Sequence, residues 1–310
     1  MPQSSDILPI RPWRQRLALA AFASLAAVGV AGAATSGAEA YYERALMQAA
    51  DARCHLFSPQ LGSALGAATA QARGAALRGG ATNKGLAAVA LQAGAKQAGL
   101  PCNSKDLGIA TARVRAAFDG YGKLIRLNFP GDDAGWQADR TLPLHTPIWR
   151  LSQKPAGAST PLIFGLAGDY AHPAQLLAVG DFSPGQTPYS AQLMVRDIAR
   201  APEPYLQAVS VSAWAKLPLA ERAPPRSGVL VFAAEARADA DKTLLSRGST
   251  SGVAFRFPAA AARALAALDP REAVTLEFLV QDRTGVRARR AYVEVGDFAA
   301  GQAFLSAARR

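Results

Sequence analysis

The period of the hydrophobic pattern changes near residue 140, and this change limits the fold more than any other feature of the chain. Before it, apolar residues recur every three or four positions, as on the buried face of an α-helix. After it, short apolar runs alternate with Pro, Gly, Asn and Asp clusters, as in antiparallel strands. The sequence therefore predicts an α+β protein, with a small helical bundle at 41–140 and a sandwich-like β-rich domain at 141–310.

Four helices are predicted in the first half of the chain. Thr82 and Ser104 are good N-cap residues for the third and fourth helices. The connections are short, which favours antiparallel packing of neighbouring helices in a small bundle. The predicted segments are Tyr41–Phe57, Pro59–Arg78, Asn83–Ala98 and Lys105–Asn128.

The second half is predicted to contain nine short strands with one or two short helices. One helix begins at Pro258 and ends at Leu268, because proline is favoured at the first position of a helix. The predicted strands are Ile148–Leu151, Leu162–Leu166, Gln175–Val179, Ala191–Val195, Val209–Ala213, Val229–Ala233, Val253–Phe257, Val274–Val280 and Arg290–Val295.

The pattern V-G-D-F-x-x-G-Q occurs twice, at Val179–Gln186 and at Val295–Gln302. Two divergent copies of one β-unit, at about 141–215 and 226–310, would explain the recurrence. Chance recurrence in a chain rich in Ala and Gly is the alternative. In both copies we expect a strand to end at the Gly and the Phe to enter the core.

Residues 1–40 have the three parts of a secretory signal. An uncharged apolar run, Leu17–Ala34, follows three arginines, and small residues allow cleavage after Ala33 or after Ala40. The sequence thus predicts an extracytoplasmic protein, periplasmic by preference, with no stable membrane insertion after cleavage. The alternative is an uncleaved leader that anchors the chain in the inner membrane. The arginines are Arg11, Arg14 and Arg16.

Cys54 and Cys102 are the two cysteines of the chain. In an oxidising compartment an even number of cysteines favours pairing. A bridge would close a loop of about 49 residues and would stabilise the fold by roughly 4 kcal/mol. Two unpaired buried thiols are the alternative. The C-x-x-C spacing of a redox pair is missing.

The formal net charge of +11 is spread evenly over both halves of the chain. Proteins that bind nucleic acid usually concentrate basic residues on one face and interleave aromatic residues, so nucleic acid is not an expected partner. An exported basic protein would instead meet anionic components of the cell envelope, and weak electrostatic attraction to these is expected.

No catalytic, cofactor-binding or metal-binding motif is recognised in the chain. The sequence Gly248–Gly252 has Thr where a nucleophile elbow needs Ser, and no pair of histidines has metal-ligand spacing. The adjacent acids Asp132 and Asp133, like the pair Asp239 and Asp241, are typical of solvated turns. The scattered residues from which a hydrolase site could be built are His145, His172 and Asp169.

Four aromatic side chains of the mature chain have two interpretations. They could line a platform for a glycan, or they could equally be anchors of the hydrophobic core. They are Trp136, Trp149, Tyr170 and Trp214.

The last fifty residues show a pattern of strand, alanine-rich helix, strand, basic hairpin, strand and short final helix. The segments Ala267–Asp269, Val274–Phe278 and Val293–Phe298 carry this pattern. In this order the segment from about 257 to 306 resembles the C-terminal part of the invasion-associated locus B family of secreted proteobacterial proteins. The resemblance implies a non-enzymatic β-sandwich in the envelope and assigns no catalytic residue.

These observations favour a non-catalytic exported protein that acts as a binding or accessory module of the envelope. Two alternatives stay open. One is a periplasmic hydrolase acting on cell-wall or lipid substrate, and the other is a membrane-tethered interaction protein that keeps its leader.

Overall fold

The computed structural model describes residues 37–183, 185–205, 216–282 and 285–306. Within these ranges the chain forms seven α-helices and eleven strands, and all paired strands are antiparallel. The α+β class is thereby confirmed. The predicted leader up to residue 36, the predicted strand Val209–Ala213 and Trp214 lie outside the described residues. Among the described helices, none combines the length and apolar character needed to cross a bilayer.

The first four helices begin close to where the sequence places their starts. They are α1 (Gly37–Cys54), α2 (Pro59–Arg78), α3 (Asn83–Ala98) and α4 (Lys105–Phe118). The hydroxyls of Ser58, Thr82 and Ser104 each accept a hydrogen bond from a backbone N–H in the first turn of the helix that follows. These side chains satisfy N–H groups that the helix itself leaves without acceptors.

The prediction that the fourth helix runs to Asn128 is wrong, since α4 ends at Phe118. Gly120 and Gly122 follow, and glycine costs about 1 kcal/mol relative to alanine inside a helix. A single 3₁₀ turn replaces the predicted helix, and a strand begins at Arg126. Pairing of that strand with the next one outweighs the apolar stripe that predicted a longer helix.

A seven-stranded sheet has the order β1-β2-β3-β4-β5-β9-β8, and a four-stranded sheet has the order β11-β10-β6-β7. The strands β1, β2 and β8 were not predicted, and β1 and β2 precede residue 141. The strands of the first sheet are β1 (Arg126–Phe129), β2 (Trp136–Asp139), β3 (Ile148–Gln153), β4 (Leu162–Gly168), β5 (Gln175–Gly180), β8 (Ala236–Asp239) and β9 (Val253–Phe257). Those of the second are β6 (Ser190–Arg196), β7 (Val229–Ala233), β10 (Ala273–Asp282) and β11 (Gly285–Glu294).

The two sheets meet through aromatic side chains. The ring of Phe255 on β9 lies 5.6 Å from that of Phe278 on β10, and Phe182 lies 5.4 Å from Phe278. Such aromatic contacts add to the stabilisation that comes from burial of apolar surface. The β-rich part is therefore a sandwich of two sheets, as the sequence predicts.

Three further helices belong to the second half of the chain: α5 (Leu219–Arg222), α6 (Ala259–Ala267) and α7 (Phe298–Ser306). Helix α7 packs against α2 and also against β2 and β3. The ring of Phe298 lies 4.9 Å from that of Trp136, and Arg78 on α2 forms a 2.9 Å ion pair with Asp297. One continuous hydrophobic cluster thus includes residues of the helices and of both sheets. The proposed domain boundary near residue 140 stays a prediction.

Both V-G-D-F segments follow a strand and have a core-facing Phe, but the expected strand end at the Gly is found only at Gly180, since β11 ends at Glu294. Gly296 has a positive φ of 47°, and helix α7 begins two residues later. After Gly180 the chain continues without a helix at Phe182 and Ser183. Both Phe182 and Phe298 pack into the main hydrophobic cluster, as expected. Duplication of a β-unit stays a prediction.

The disulfide between Cys54 and Cys102 is confirmed. Its Cα atoms are 5.6 Å apart, within the usual range for a disulfide. It joins the end of α1 to the connection between α3 and α4. The neighbouring Arg53 donates a 2.8 Å hydrogen bond to the carbonyl of Ala98, which closes the same junction.

We expect reduction of this disulfide to lower the free energy of unfolding by about 4 kcal/mol, because the reduced chain regains the entropy of an open loop. Urea denaturation of the oxidised and the reduced protein measures the difference. The control is the double variant Cys54→Ala/Cys102→Ala. It should be less stable than the oxidised wild type, and its free energy of unfolding should not change when reductant is added. Equal midpoints for oxidised and reduced protein would contradict this account.

A buried carboxylate joins α3 to the turn before β10. Asp269 accepts hydrogen bonds from Asn83 Nδ2 at 3.0 Å and from Arg271 Nε at 2.9 Å. Burial opposes ionisation of this carboxyl, but the bonds and charge of Arg271 outweigh it and lower the pKa of Asp269 below its usual value. The stabilising effect of the charged form is therefore present above about pH 4 and is lost as the pH falls further.

Asp269→Asn should cost about 3 kcal/mol at pH 7, because it removes the buried charge that forms paired hydrogen bonds with the half-buried Arg271. The stability difference from wild type should shrink between pH 5 and pH 2, since the wild-type carboxyl then becomes protonated. Urea denaturation across this range measures it. Asp119→Asn, at a carboxyl that is 80% exposed, is the matched control. A stability difference between wild type and Asp269→Asn that does not vary with pH would refute the stabilising role of the Asp269 charge.

Candidate functional site

Two of the three residues considered for hydrolysis lie together. The ring Nδ1 of His172 is 3.0 Å from Oδ1 of Asp169, and the backbone N–H of His172 donates to the same oxygen at 2.7 Å. Burial alone would raise the pKa of Asp169, but these hydrogen bonds lower it below the usual value. The two residues are three positions apart, and their contact closes the turn between β4 and β5.

No nucleophile contacts this pair in the described residues. In the described ranges no hydroxyl or thiol forms a hydrogen bond with His172, whose side chain is 75% exposed. His145 lies on an exposed loop and has no side-chain hydrogen bond within the described chain. A Ser–His–Asp arrangement needs all three groups in contact. The contact between Asp169 and His172 therefore has the geometry of a pair of hydrogen bonds that stabilise the turn.

The loop with Asp132 and Asp133 is not simply a solvated turn. Three successive backbone N–H groups, those of Asp132, Asp133 and Ala134, donate to the buried carboxylate of Glu294 at 2.7 to 2.9 Å. Arg222 forms an ion pair with Asp133 at 2.9 Å. Burial raises the pKa of Glu294 even though these N–H groups favour its charged form. In the part of the chain that the structure describes, no group of acids, histidines or cysteines is arranged to hold a metal ion.

The aromatic residues separate into distinct environments. Trp136 is fully buried and is a core anchor, whereas Tyr170 is 70% exposed. Trp149 is half-buried, and its Nε1 donates a 3.0 Å hydrogen bond to the carbonyl of Leu244. Asp239 ends a strand, and Asp241 caps the 3₁₀ turn after it, so this acid pair is a turn element as predicted.

A cleft of about 530 Å³ opens where strands β4, β5 and β9 end against helices α6 and α7. Its size is within the range of cavities that bind small molecules. Its floor is apolar and comprises Leu166, Leu176, Phe257, Ala262 and Leu305. Its rim is polar and includes Gln175, Glu235, Arg256, Arg263 and Gln302. We call this cavity the Arg256 cleft.

The position of Arg256 follows from strand alternation in β9. Val253, Phe255 and Phe257 point into the core, so Ala254 and Arg256 lie on the opposite face. The guanidinium thus reaches the cleft from the outer face of the sheet. Its Nε is buried and has no hydrogen-bond acceptor in the described chain.

Arg256 differs from the other buried and half-buried arginines of the described residues. In the described residues every other buried or half-buried arginine has a hydrogen-bond or ion-pair partner. The second arginine of the cleft, Arg263, is exposed and likewise has no such partner there. Unpaired buried donors are rare because each costs about 1–3 kcal/mol.

The cleft therefore combines an apolar floor with two guanidinium groups, opposed by the single carboxylate of Glu235. Guanidinium groups bind carboxylates and phosphates through paired hydrogen bonds. The arrangement suits a ligand with an anionic head and an apolar body. Sequence reasoning missed Arg256 because it stands in an ordinary alternating strand, and only the tertiary structure brings it into one cavity with residues of α6 and α7.

Neither the family models, nor the curated proteins, nor the solved structures include a match to this chain.

Proposed function

We propose that this protein is an exported, non-catalytic binding module of the cell envelope, and that it holds an amphipathic anion in the Arg256 cleft. The observation that carries the proposal is the unpaired, half-buried guanidinium of Arg256 above an apolar floor. An anionic ligand would provide the acceptor that this guanidinium lacks. Anionic components of the envelope are the partners expected from the basic net charge of +11.

Two observations support export. The leader has the parts of a secretory signal, and the disulfide Cys54–Cys102 is of a kind that persists in oxidising compartments. Of the two cleavage positions, the one after Ala40 would remove the first turn of α1, which begins at Gly37. Cleavage after Ala33 keeps that helix whole and is the position we favour.

A second candidate function, a hydrolase, is favoured by one observation, the contact between Asp169 and His172. This candidate has weaker support, because no hydroxyl or thiol of the described residues contacts the histidine for activation.

Octyl phosphate tests the binding proposal, because it joins one anionic head to a short apolar tail. We expect wild-type protein to bind it saturably in isothermal titration calorimetry. Arg256→Gln should weaken binding about tenfold, equivalent to about 1.4 kcal/mol, because the charge-assisted hydrogen bonds are lost. Octanol and inorganic phosphate should each bind more weakly than octyl phosphate.

Arg247→Gln is the matched control, since it removes the same charge from an exposed turn. It should bind octyl phosphate like wild type. Equal affinity of Arg256→Gln and wild type, or no saturable binding by wild type, would refute the proposal.

For the hydrolase candidate, we expect wild-type protein and His172→Ala to hydrolyse p-nitrophenyl butyrate at the same background rate, because the histidine has no nucleophile to activate. The release of p-nitrophenol is followed by absorbance. A drop of a hundredfold or more in His172→Ala, with unchanged circular dichroism, would support the hydrolase instead.

A further inference from the structure

A second cavity, of about 660 Å³, lies on the outer face of the seven-stranded sheet. It crosses β1, β2 and β3 and shares no lining residue with the Arg256 cleft. We call it the outer groove. The segment around Leu244 covers the neighbouring part of the same face, where it packs on Ala167 and Val179. The groove thus lies beside the covered part of this sheet face.

Three polar side chains form a row across the floor of the outer groove. Asn128 on β1 is directly opposite Gln137 on β2, and Gln137 is directly opposite Ser152 on β3. Residues paired in this way have Cβ atoms about 5 Å apart, the scale of one sugar ring. The row therefore presents two amides and a hydroxyl at regular spacing.

None of these three side chains has a hydrogen-bond partner in the described chain. Amide and hydroxyl groups each offer both a donor and an acceptor. The row can therefore bind groups that also donate and accept, as the hydroxyls of a sugar do.

The charges beside the row are largely paired with one another. Arg126 and Asp139 form a 2.7 Å ion pair, and Asp133 is paired with Arg222 at 2.9 Å. Lys154, at the rim, is the remaining charged side chain of the lining. The floor is thus neutral, unlike the Arg256 cleft, and has little to attract an anion.

An aromatic ring completes one wall of the outer groove. Trp149 lines it, and the hydrogen bond from Nε1 to the carbonyl of Leu244 holds the indole in place. A fixed indole offers a flat apolar surface beside the polar row. This combination matches the two faces of a pyranose, which has polar hydroxyls around its edge and C–H groups on its flat side.

We propose that the outer groove binds a neutral oligosaccharide. The hydroxyls of the sugar exchange hydrogen bonds with Asn128, Gln137 and Ser152, and one ring packs against Trp149. This site is independent of the anion site in the Arg256 cleft, and its failure would leave that proposal untouched.

The probes are cellotetraose and the tetramer of β-1,4-linked N-acetylglucosamine. Each is titrated into the mature protein. Binding is followed by calorimetry and by the indole N–H signals in NMR spectra. We expect saturable binding of at least one probe and a shift of the Trp149 signal, which Trp149→Phe identifies. Gln137→Ala should weaken binding fivefold or more, and Asn128→Ala should weaken it in the same direction.

Gln92→Ala is the matched control, because Gln92 is an exposed amide on α3 that does not line the outer groove. It should bind like wild type, and so should Arg256→Gln. The proposal is overturned if neither tetrasaccharide binds saturably, or if binding is unchanged in both Gln137→Ala and Asn128→Ala. Equal weakening by Arg256→Gln would also overturn it, since the sugar would then occupy the other cavity.

Discussion

The arrangement of the strands and helices depends most on the hydrogen bonds that the carboxylate of Glu294 accepts. Three backbone N–H groups enclose it, and the turn that provides them connects β1 to β2. Gly131 is required in this turn, because a Cβ there would lie 2.7 Å from Glu294 Oε2. Loss of one member of such a buried charged network typically costs about 3–5 kcal/mol. The seven-stranded sheet is thereby fastened to the end of β11 in the other sheet.

The same junction positions the helices. Trp136 donates its Nε1 hydrogen bond to the carbonyl of Val295 at 2.9 Å, and Gln153 exchanges hydrogen bonds with the backbone of Glu294 in both directions. Two residues further on, Asp297 pairs with Arg78 of α2 just before α7 begins. A short stretch of chain after β11 thus holds β2, β3 and α2 together. Its carboxylates serve structure, because their oxygens are occupied by protein donors.

The two proposed binding sites differ because their polar groups differ. The Arg256 cleft lies beyond the strand ends, and its guanidinium groups have no protein acceptor in the described residues. The outer groove lies on a sheet face, where the adjacent charges neutralise each other and leave amides and a hydroxyl. A buried polar group without a protein partner indicates where a ligand can bind, and the buried Nε of Arg256 is such a group. The difference in charge therefore suits the Arg256 cleft to an anion and the outer groove to a neutral ligand.

The sequence by itself determined the α+β class, the first three helices, most of the strands and the pairing of Cys54 with Cys102. These features depend on local periodicity, on capping residues and on cysteine count, all of which are readable along the chain. Only the tertiary structure decided that the fourth helix ends at Phe118, that β1 and β2 join the large sheet, and that Arg256 and Gln137 line cavities. The reason is physical: the end of α4, the pairing of β1 with β2 and the cavities depend on contacts between different elements, and the buried charges of Glu294 and Asp297 pair with groups more than a hundred positions away, so no pattern within one element encodes them.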